Sequence, residues 1–228
     1  MDIIAVYKPK GPTSHDMIDK IRRITGVKRV GHAGTLDPLA SGVLVVGIGR
    51  EATRTLDAEV KKEKEYIATI KFGETSETDD EEGILMAKHG IYSVPSEDYP
   101  TSSQIETTMK KFIGEISQIP PAYSALKIKG TPAYKLARSG KKVNLEPRKV
   151  FIKEIEILKY EWPLLKIKVV CGPGVYIRSL ARDIGEALGV GGYMSALERT
   201  RVGDFTVEQA IDLDKEPAKI LKMLKNKN

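Results

Sequence analysis

Cysteine is all but missing from this chain. Cys171 stands alone in the sequence, which excludes an intrachain disulfide and any metal site built from a cysteine cluster. Histidine is scarce too: His15, His32 and His89 have no paired spacing for zinc. No apolar run approaches the roughly 20 residues of a membrane span. The first residues, Met1 to Lys8, lack the layout of a secretory signal. A cytoplasmic protein without cofactor, metal or membrane association is the simplest expectation. No nucleotide-binding glycine fingerprint follows a strand. Ser14, Ser41 and Ser124 lie outside a nucleophile-elbow context. Gly189-Val190-Gly191-Gly192 follows a helix end and turns the chain rather than cradling phosphate.

Negative charge is short as well, with a formal balance of +6 over 228 residues. The distribution matters more than the sum. Lys127, Lys129, Lys135, Arg138, Lys141, Lys142, Arg148, Lys149 and Lys153 face Glu146 alone, whereas the segment from Glu74 to Glu82 is acidic. A basic stretch with few counter-charges attracts phosphate. A solvated charged face is the bland alternative, and charge by itself does not choose between them.

Against these absences one stretch stands out: Gly31-His32-Ala33-Gly34-Thr35-Leu36-Asp37-Pro38-Leu39-Ala40-Ser41-Gly42, running into Val43-Leu44-Val45-Val46-Gly47-Ile48. A glycine-punctuated polar loop meets an apolar run fit for a buried strand. Pro38 stiffens the loop and biases Asp37 toward an extended conformation. One carboxylate and one imidazole are thus offered from a constrained backbone beside the core.

The rest reads as irregularly alternating elements. A strand over Ile3–Tyr7 leads through Lys8-Pro9-Lys10-Gly11-Pro12 to a helix capped by Thr13 or Ser14 and ended by Gly26. Another helix begins near Glu51, and a strand covers Glu65–Gly73. Glu74–Gly83 is expected to be an exposed turn without chemistry, and Ile91–Tyr99 a loop. A helix from Ser103 should bury Ile105, Met109, Phe112 and Ile113. The Pro120-Pro121 pair suits an extended, exposed path. Pro132–Ser139 can form a short helix; Val150–Tyr160 and Leu164–Cys171 read as strands. A helix carrying Leu180, Ala181, Ile184 and Leu188 precedes a strand over Met194–Val202. Thr206–Ile211 and Pro217–Lys225 read as short terminal helices, and Lys222–Asn228 as a frayed end. Hairpin-like strand pairs imply an α+β fold, a mainly antiparallel mixed sheet flanked by helices. Residues 1–228 are expected to make a single domain with a basic insertion around 120–150.

Four polar residues lie beside apolar or glycine-rich sequence: Asp37, Tyr66, Tyr176 and Arg178. Asp37 is fitted to act as nucleophile, base or capping group. Tyr66 taken alone is a core or edge tyrosine. Tyr176 and Arg178 lie two apart and on an extended segment would share a side. An arginine beside a carboxylate favours its charged form, as a nucleophilic carboxylate requires.

Gly31–Pro38 resembles the catalytic motif of the TruB-type pseudouridine synthases, which modify a uridine in the T-loop of tRNA. Lys8-Pro9-Lys10-Gly11-Pro12-Thr13-Ser14-His15, Lys64-Glu65-Tyr66, Gln118-Ile119-Pro120-Pro121-Ala122-Tyr123-Ser124-Ala125 and Gly174-Val175-Tyr176-Ile177-Arg178 resemble further family blocks in the same order. The resemblance implies that Asp37 is the nucleophile, that Tyr66 stacks on the target base, and that Arg178 pairs with the aspartate. It implies that Tyr176 and Leu197 line the pocket, that His32 supports the flipped-out nucleotide, and that Lys8 packs behind the site. Whether Asp37 attacks ribose or base stays open at this stage. The family uses no cofactor or metal and acts on a base taken out of its stack. Lys127, Lys129, Lys135, Arg138, Lys141, Lys142 and Arg148 would then grip the RNA stem-loop backbone, with no obligate protein partner. Two departures are visible. As given, the sequence is expected to leave no room for the additional C-terminal RNA-binding domain of many members, as in a compact member or a truncated chain, and Glu198 stands where a basic residue is expected. The rival readings are a guide-RNA-dependent ribosomal RNA relative, to which Gly189–Met194 is similar, and a non-catalytic RNA-binding protein.

Overall fold

The computed structural model describes residues 2–87, 95–128, 130–141 and 143–225. In chain order they form β1 (Asp2–Lys8), α1 (Ser14–Thr25), β2 (Val30–Ala33), β3 (Ser41–Ile48), α2 (Arg50–Val60), β4 (Lys64–Phe72), β5 (Glu74–Ser76), β6 (Leu85–Ala87) and α3 (Ser102–Lys110). There follow β7 (Gly114–Gln118), β8 (Lys127–Ile128), β9 (Thr131–Pro132), α4 (Ala133–Arg138), β10 (Arg148–Glu161), β11 (Leu164–Cys171) and α5 (Ile177–Ala187). The chain closes with β12 (Gly192–Val202), β13 (Phe205–Thr206), β14 (Ile211–Asp212) and α6 (Pro217–Lys225). Residues 1–67 and 197–228 make one compact unit and 68–196 another. The division falls inside β4 and β12, so each of these strands has one half in either unit.

In the first unit the strand order is β14-β1-β3-β12, with β2 on β3 and β13 on β12. β3 is antiparallel to β1 and β2 and parallel to β12. The unbroken apolar run of β3 has a physical cause. Leu44, Val46 and Ile48 pack with Met17, Ile18 and Ile21 of α1 and Ile220 of α6, while Val43 and Val45 pack with Leu56 of α2. A strand covered on both faces loses polar alternation. Truncating Leu44 to Ala would cost about 2–5 kcal/mol.

α1 is delimited by its own sequence. Thr13 accepts from the Asp16 amide while Asp16 accepts from the Thr13 amide, and Gly26 closes the helix at φ 71°. The two ends contribute on the order of 1 kcal/mol each.

In the second unit the order runs β12-β4-β11-β10-β7, with β10 antiparallel to both β11 and β7. Ala68, Ile70 and Phe72 of β4, Leu165, Ile167 and Val169 of β11, and Leu180, Ala181 and Ile184 of α5 are buried. Each unit is thus a mostly antiparallel sheet with helices, as the α+β reading requires.

Several local expectations fail. α3 stops at Lys110, so Phe112 and Ile113 lie beyond it, and Ile113 is exposed. The stretch read as a helix over Thr206–Ile211 is two short strands on either side of a 3-10 turn, β13 pairing with β12 and β14 with β1, because its few apolar residues complete sheet edges. The paired prolines do not run exposed: Pro120 and Pro121 are buried. Of the loop expected over 91–99 and the frayed end over 222–228, residues 91–94 and 226–228 lie outside the described residues.

Candidate active site

Asp37 is half-buried in the loop between β2 and β3, and the main chain on either side of it is tied down. Before it, the Ser14 hydroxyl donates to the Leu36 carbonyl at 3.0 Å and accepts from the Leu36 amide at 2.9 Å. After it, the Pro38 carbonyl accepts from the Gly11 amide at 2.8 Å and from Lys8 Nζ at 3.3 Å. The Asp37 carbonyl itself accepts from the Ala40 amide at 3.0 Å, closing a turn. Lys8 is fully buried, and its ammonium also reaches the carbonyls of Pro9 and Pro12, each at 2.8 Å. The structure therefore sets Lys8 against the backbone behind the loop.

Arg199 braces the loop from β12. It is buried, and its guanidinium donates to the Gly34 carbonyl at 3.1 Å and the Val43 carbonyl at 2.8 Å. Gly42, at φ 111°, pairs with Arg199 in register, and a Cβ there would sit 2.2 Å from the Arg199 carbonyl oxygen. His32, on β2, is half-buried; its Nδ1 has no hydrogen-bond partner among the described residues. Burial first, then the positive charges of His15 and Arg199, lower its pKa, which favours the neutral ring. Tyr66 belongs to the buried face of β4, and Leu197 is half-buried on β12. Lys8, His32, Asp37, Tyr66 and Leu197 all belong to the first unit.

Tyr176 and Arg178 belong to the second. Gln118 holds Tyr176 at both main-chain groups, accepting from its amide at 2.9 Å and donating to its carbonyl at 3.1 Å. Tyr176 is the residue before α5 and Arg178 lies in the first turn. The same-side argument for an extended pair therefore does not apply, since helical geometry sets their directions. Arg178 is buried, donating to Asp80 Oδ2 at 3.2 Å, the Thr78 carbonyl at 3.2 Å and the Tyr123 carbonyl at 3.0 Å. One turn on, Arg182 meets Asp79 at 2.7 Å and the Ile119 carbonyl at 2.9 Å.

Residues 22–177 match the profile described as TruB family pseudouridylate synthase (N terminal domain). The chain belongs to the TruB family. Residues 178–221 match the profile described as tRNA pseudouridylate synthase B C-terminal domain. A protein named tRNA pseudouridine synthase B from Francisella philomiragia is 45% identical over 93% of this chain and 68% of its own length. One of the same name from Mycobacterium bovis is 46% identical over 93% of this chain and 70% of its own. Among solved structures, a chain of a Cbf5-Nop10-Gar1 complex superposes with TM-score 0.72 at 33% identity, covering 99% of this chain. This chain spans 56% of that one.

For this TruB family member the acidic segment is the notable correction. Glu74–Gly83 is not an exposed turn without chemistry: Asp79 and Asp80 are buried and carry the ion pairs of Arg182 and Arg178. Arg178 and Arg182 lie four apart on a helix and so share a face. Two adjacent acids elsewhere in the chain were the available signal for their partners. Of the basic residues expected to meet RNA, Lys127, Lys135, Arg138, Lys141 and Arg148 are exposed. Lys129 and Lys142 lie outside the described residues. No cluster of potential metal-ligating side chains occurs among the described residues.

Proposed function

We propose that this chain converts a uridine in the T-loop of tRNA to pseudouridine, with Asp37 as the nucleophile. The reaction moves ribose C1′ from N1 to C5 of the same uracil; C5 gives up a proton and N1 gains one. Nothing is oxidised or reduced, so no redox cofactor is called for. Asp37 supplies the covalent hold on the nucleotide while the ring turns. Tyr66 offers an aromatic face for the extruded base, and Tyr176 and Leu197 line its pocket. Arg178 is the cationic partner of the aspartate. His32 supports the flipped nucleotide, and Lys8 fixes the loop from behind. Lys127, Lys135, Arg138, Lys141 and Arg148, together with Lys129 and Lys142, grip the phosphates of the stem-loop.

The observation that carries the reading is the Asp37 loop, whose main chain is tied at Leu36 and Pro38 while the aspartate itself stays half-buried. A main chain fixed on both sides of the aspartate determines where its carboxylate is presented, as a group that must meet a substrate requires. The guide-dependent alternative draws on the likeness of Gly189–Met194 to that branch. It is outweighed by 45% identity to a protein named tRNA pseudouridine synthase B over 68% of that protein's length.

The test is pseudouridine mapping in one unmodified tRNA transcript, without guide RNA or protein partner. Wild-type protein should modify one T-loop uridine. Asp37→Asn should give no product while binding the transcript within about threefold of wild type, since the amide keeps the shape and loses the nucleophile. Product from Asp37→Asn would refute the assigned role, and silence of the wild-type chain on bare tRNA would favour the guide-dependent reading.

A further inference from the structure

We propose that Ser14 is a positioning residue for Asp37, setting the carboxylate through the main chain of Leu36; this rests on the reading of Asp37 as nucleophile. Two hydroxyls stand side by side at the start of α1 and divide the work. Thr13 caps the helix by accepting from the Asp16 amide. Ser14 is thereby free to turn inward, where it is 2% exposed. Its Oγ both donates to and accepts from Leu36, at 3.0 and 2.9 Å. One side chain thus reproduces the pair of bonds a neighbouring strand would make, across 22 residues of sequence.

The far side of Asp37 is held by the same segment, through Gly11 and Lys8 on the Pro38 carbonyl. The backbone of the aspartate is therefore clamped between two main-chain anchors. Leu36 is 4% exposed, so without the Ser14 hydroxyl its amide and carbonyl would be left buried and unpaired, and the loop would shift to satisfy them. Displacing a reacting group by about 1 Å can cost on the order of a hundredfold in rate. Affinity for RNA, spread over many phosphate contacts, would hardly change.

The experiment compares Ser14→Ala, Ser14→Thr and Asp37→Ala on an unmodified tRNA transcript, with kcat, KM and melting temperature measured for each. Ser14→Ala should lose about tenfold to a hundredfold in kcat with KM within about threefold, assayed well below its melting point. Ser14→Thr, which keeps the hydroxyl, should recover most of that loss. A kcat for Ser14→Ala within about twofold of wild type would overturn the proposal. So would a loss confined to KM, or a folded Ser14→Thr as slow as Ser14→Ala. If Ser14→Ala does not fold, Ser14→Cys keeps the volume with a weaker donor and acceptor, and the same limits apply to it. Turnover by Asp37→Ala would instead sink the nucleophile reading, whatever Ser14 does.

Discussion

Arg182 and Asp79 meet at 2.7 Å, yet burial, opposed by the charges of Arg182 and Arg178, pushes the Asp79 carboxyl from its usual 3.8 up to about 6. Asp79 also sits at φ 61°, in the left-handed region that Asp and Asn tolerate best. An acid whose pKa is higher folded than unfolded binds its proton more tightly in the native state. Its contribution to stability is fully present below about 3.8 and is lost as pH rises through about 6. The window is worth about 3 kcal/mol at roughly 1.4 kcal/mol per pH unit. Wild type should therefore gain on Asp79→Asn by an amount of that order as pH falls from 7 to 4, read from urea midpoints. Parallel pH dependences for the two proteins would contradict the assignment.

His32 should behave in the opposite way. Burial, with His15 and Arg199 nearby, lowers its pKa below the ordinary 6.5. Stability from the neutral ring is present above 6.5 and is lost as pH falls through the folded value. An NMR titration of the His32 ring in the free protein should show a midpoint below 6.5. Removing a nearby charge with Arg199→Met should move that midpoint upward.

Two glycines with nearly the same backbone angle should respond differently to alanine. Gly11, at φ 110°, has no atom within 4 Å of an added Cβ, whereas Gly42, at φ 111°, would drive it to 2.2 Å from the Arg199 carbonyl oxygen and 2.7 Å from its amide nitrogen. Gly11→Ala should cost only conformational strain, about 1–3 kcal/mol. Gly42→Ala must also prise β3 from β12 and should leave little folded protein in thermal unfolding. Equal melting temperatures for the two variants would show that the clash is relieved by movement.

The exposed cations of the second unit should show themselves in salt dependence. If Lys135, Arg138 and Arg148 each neutralise a phosphate, every change to Ala should lower the slope of log binding constant against log salt by about 1. The effect should be similar across tRNA sequences. A slope unchanged by all three would mean that these charges face only water.

The sequence was legible where one residue type carries a local instruction. A helix start at Thr13 or Ser14, the stop at Gly26 and the buried strand over Val43–Ile48 were readable from local sequence, while the structure chose Thr13 as the cap. Legibility failed where distant partners decide. Asp79 and Asp80 looked like solvated acids because their partners, Arg182 and Arg178, lie about a hundred positions downstream. Ser14 offered two possible jobs, and the Leu36 main chain decided which it took. Phe112 and Ile113 continued a helical spacing on paper, but the backbone left the helix before reaching them. The loop of Asp37 was visible as a constrained turn; what constrains it was not.

That loop is not a transferable cassette. The stretch from Gly31 to Gly42 depends on a side chain 165 residues downstream of Gly34 for one carbonyl, and Gly42 depends on the backbone of the same arginine for clearance. Grafted into another scaffold without its counterpart on β12, the segment would keep its letters and lose its shape. Positions 34, 42 and 199 should accordingly change together or not at all as the sequence drifts.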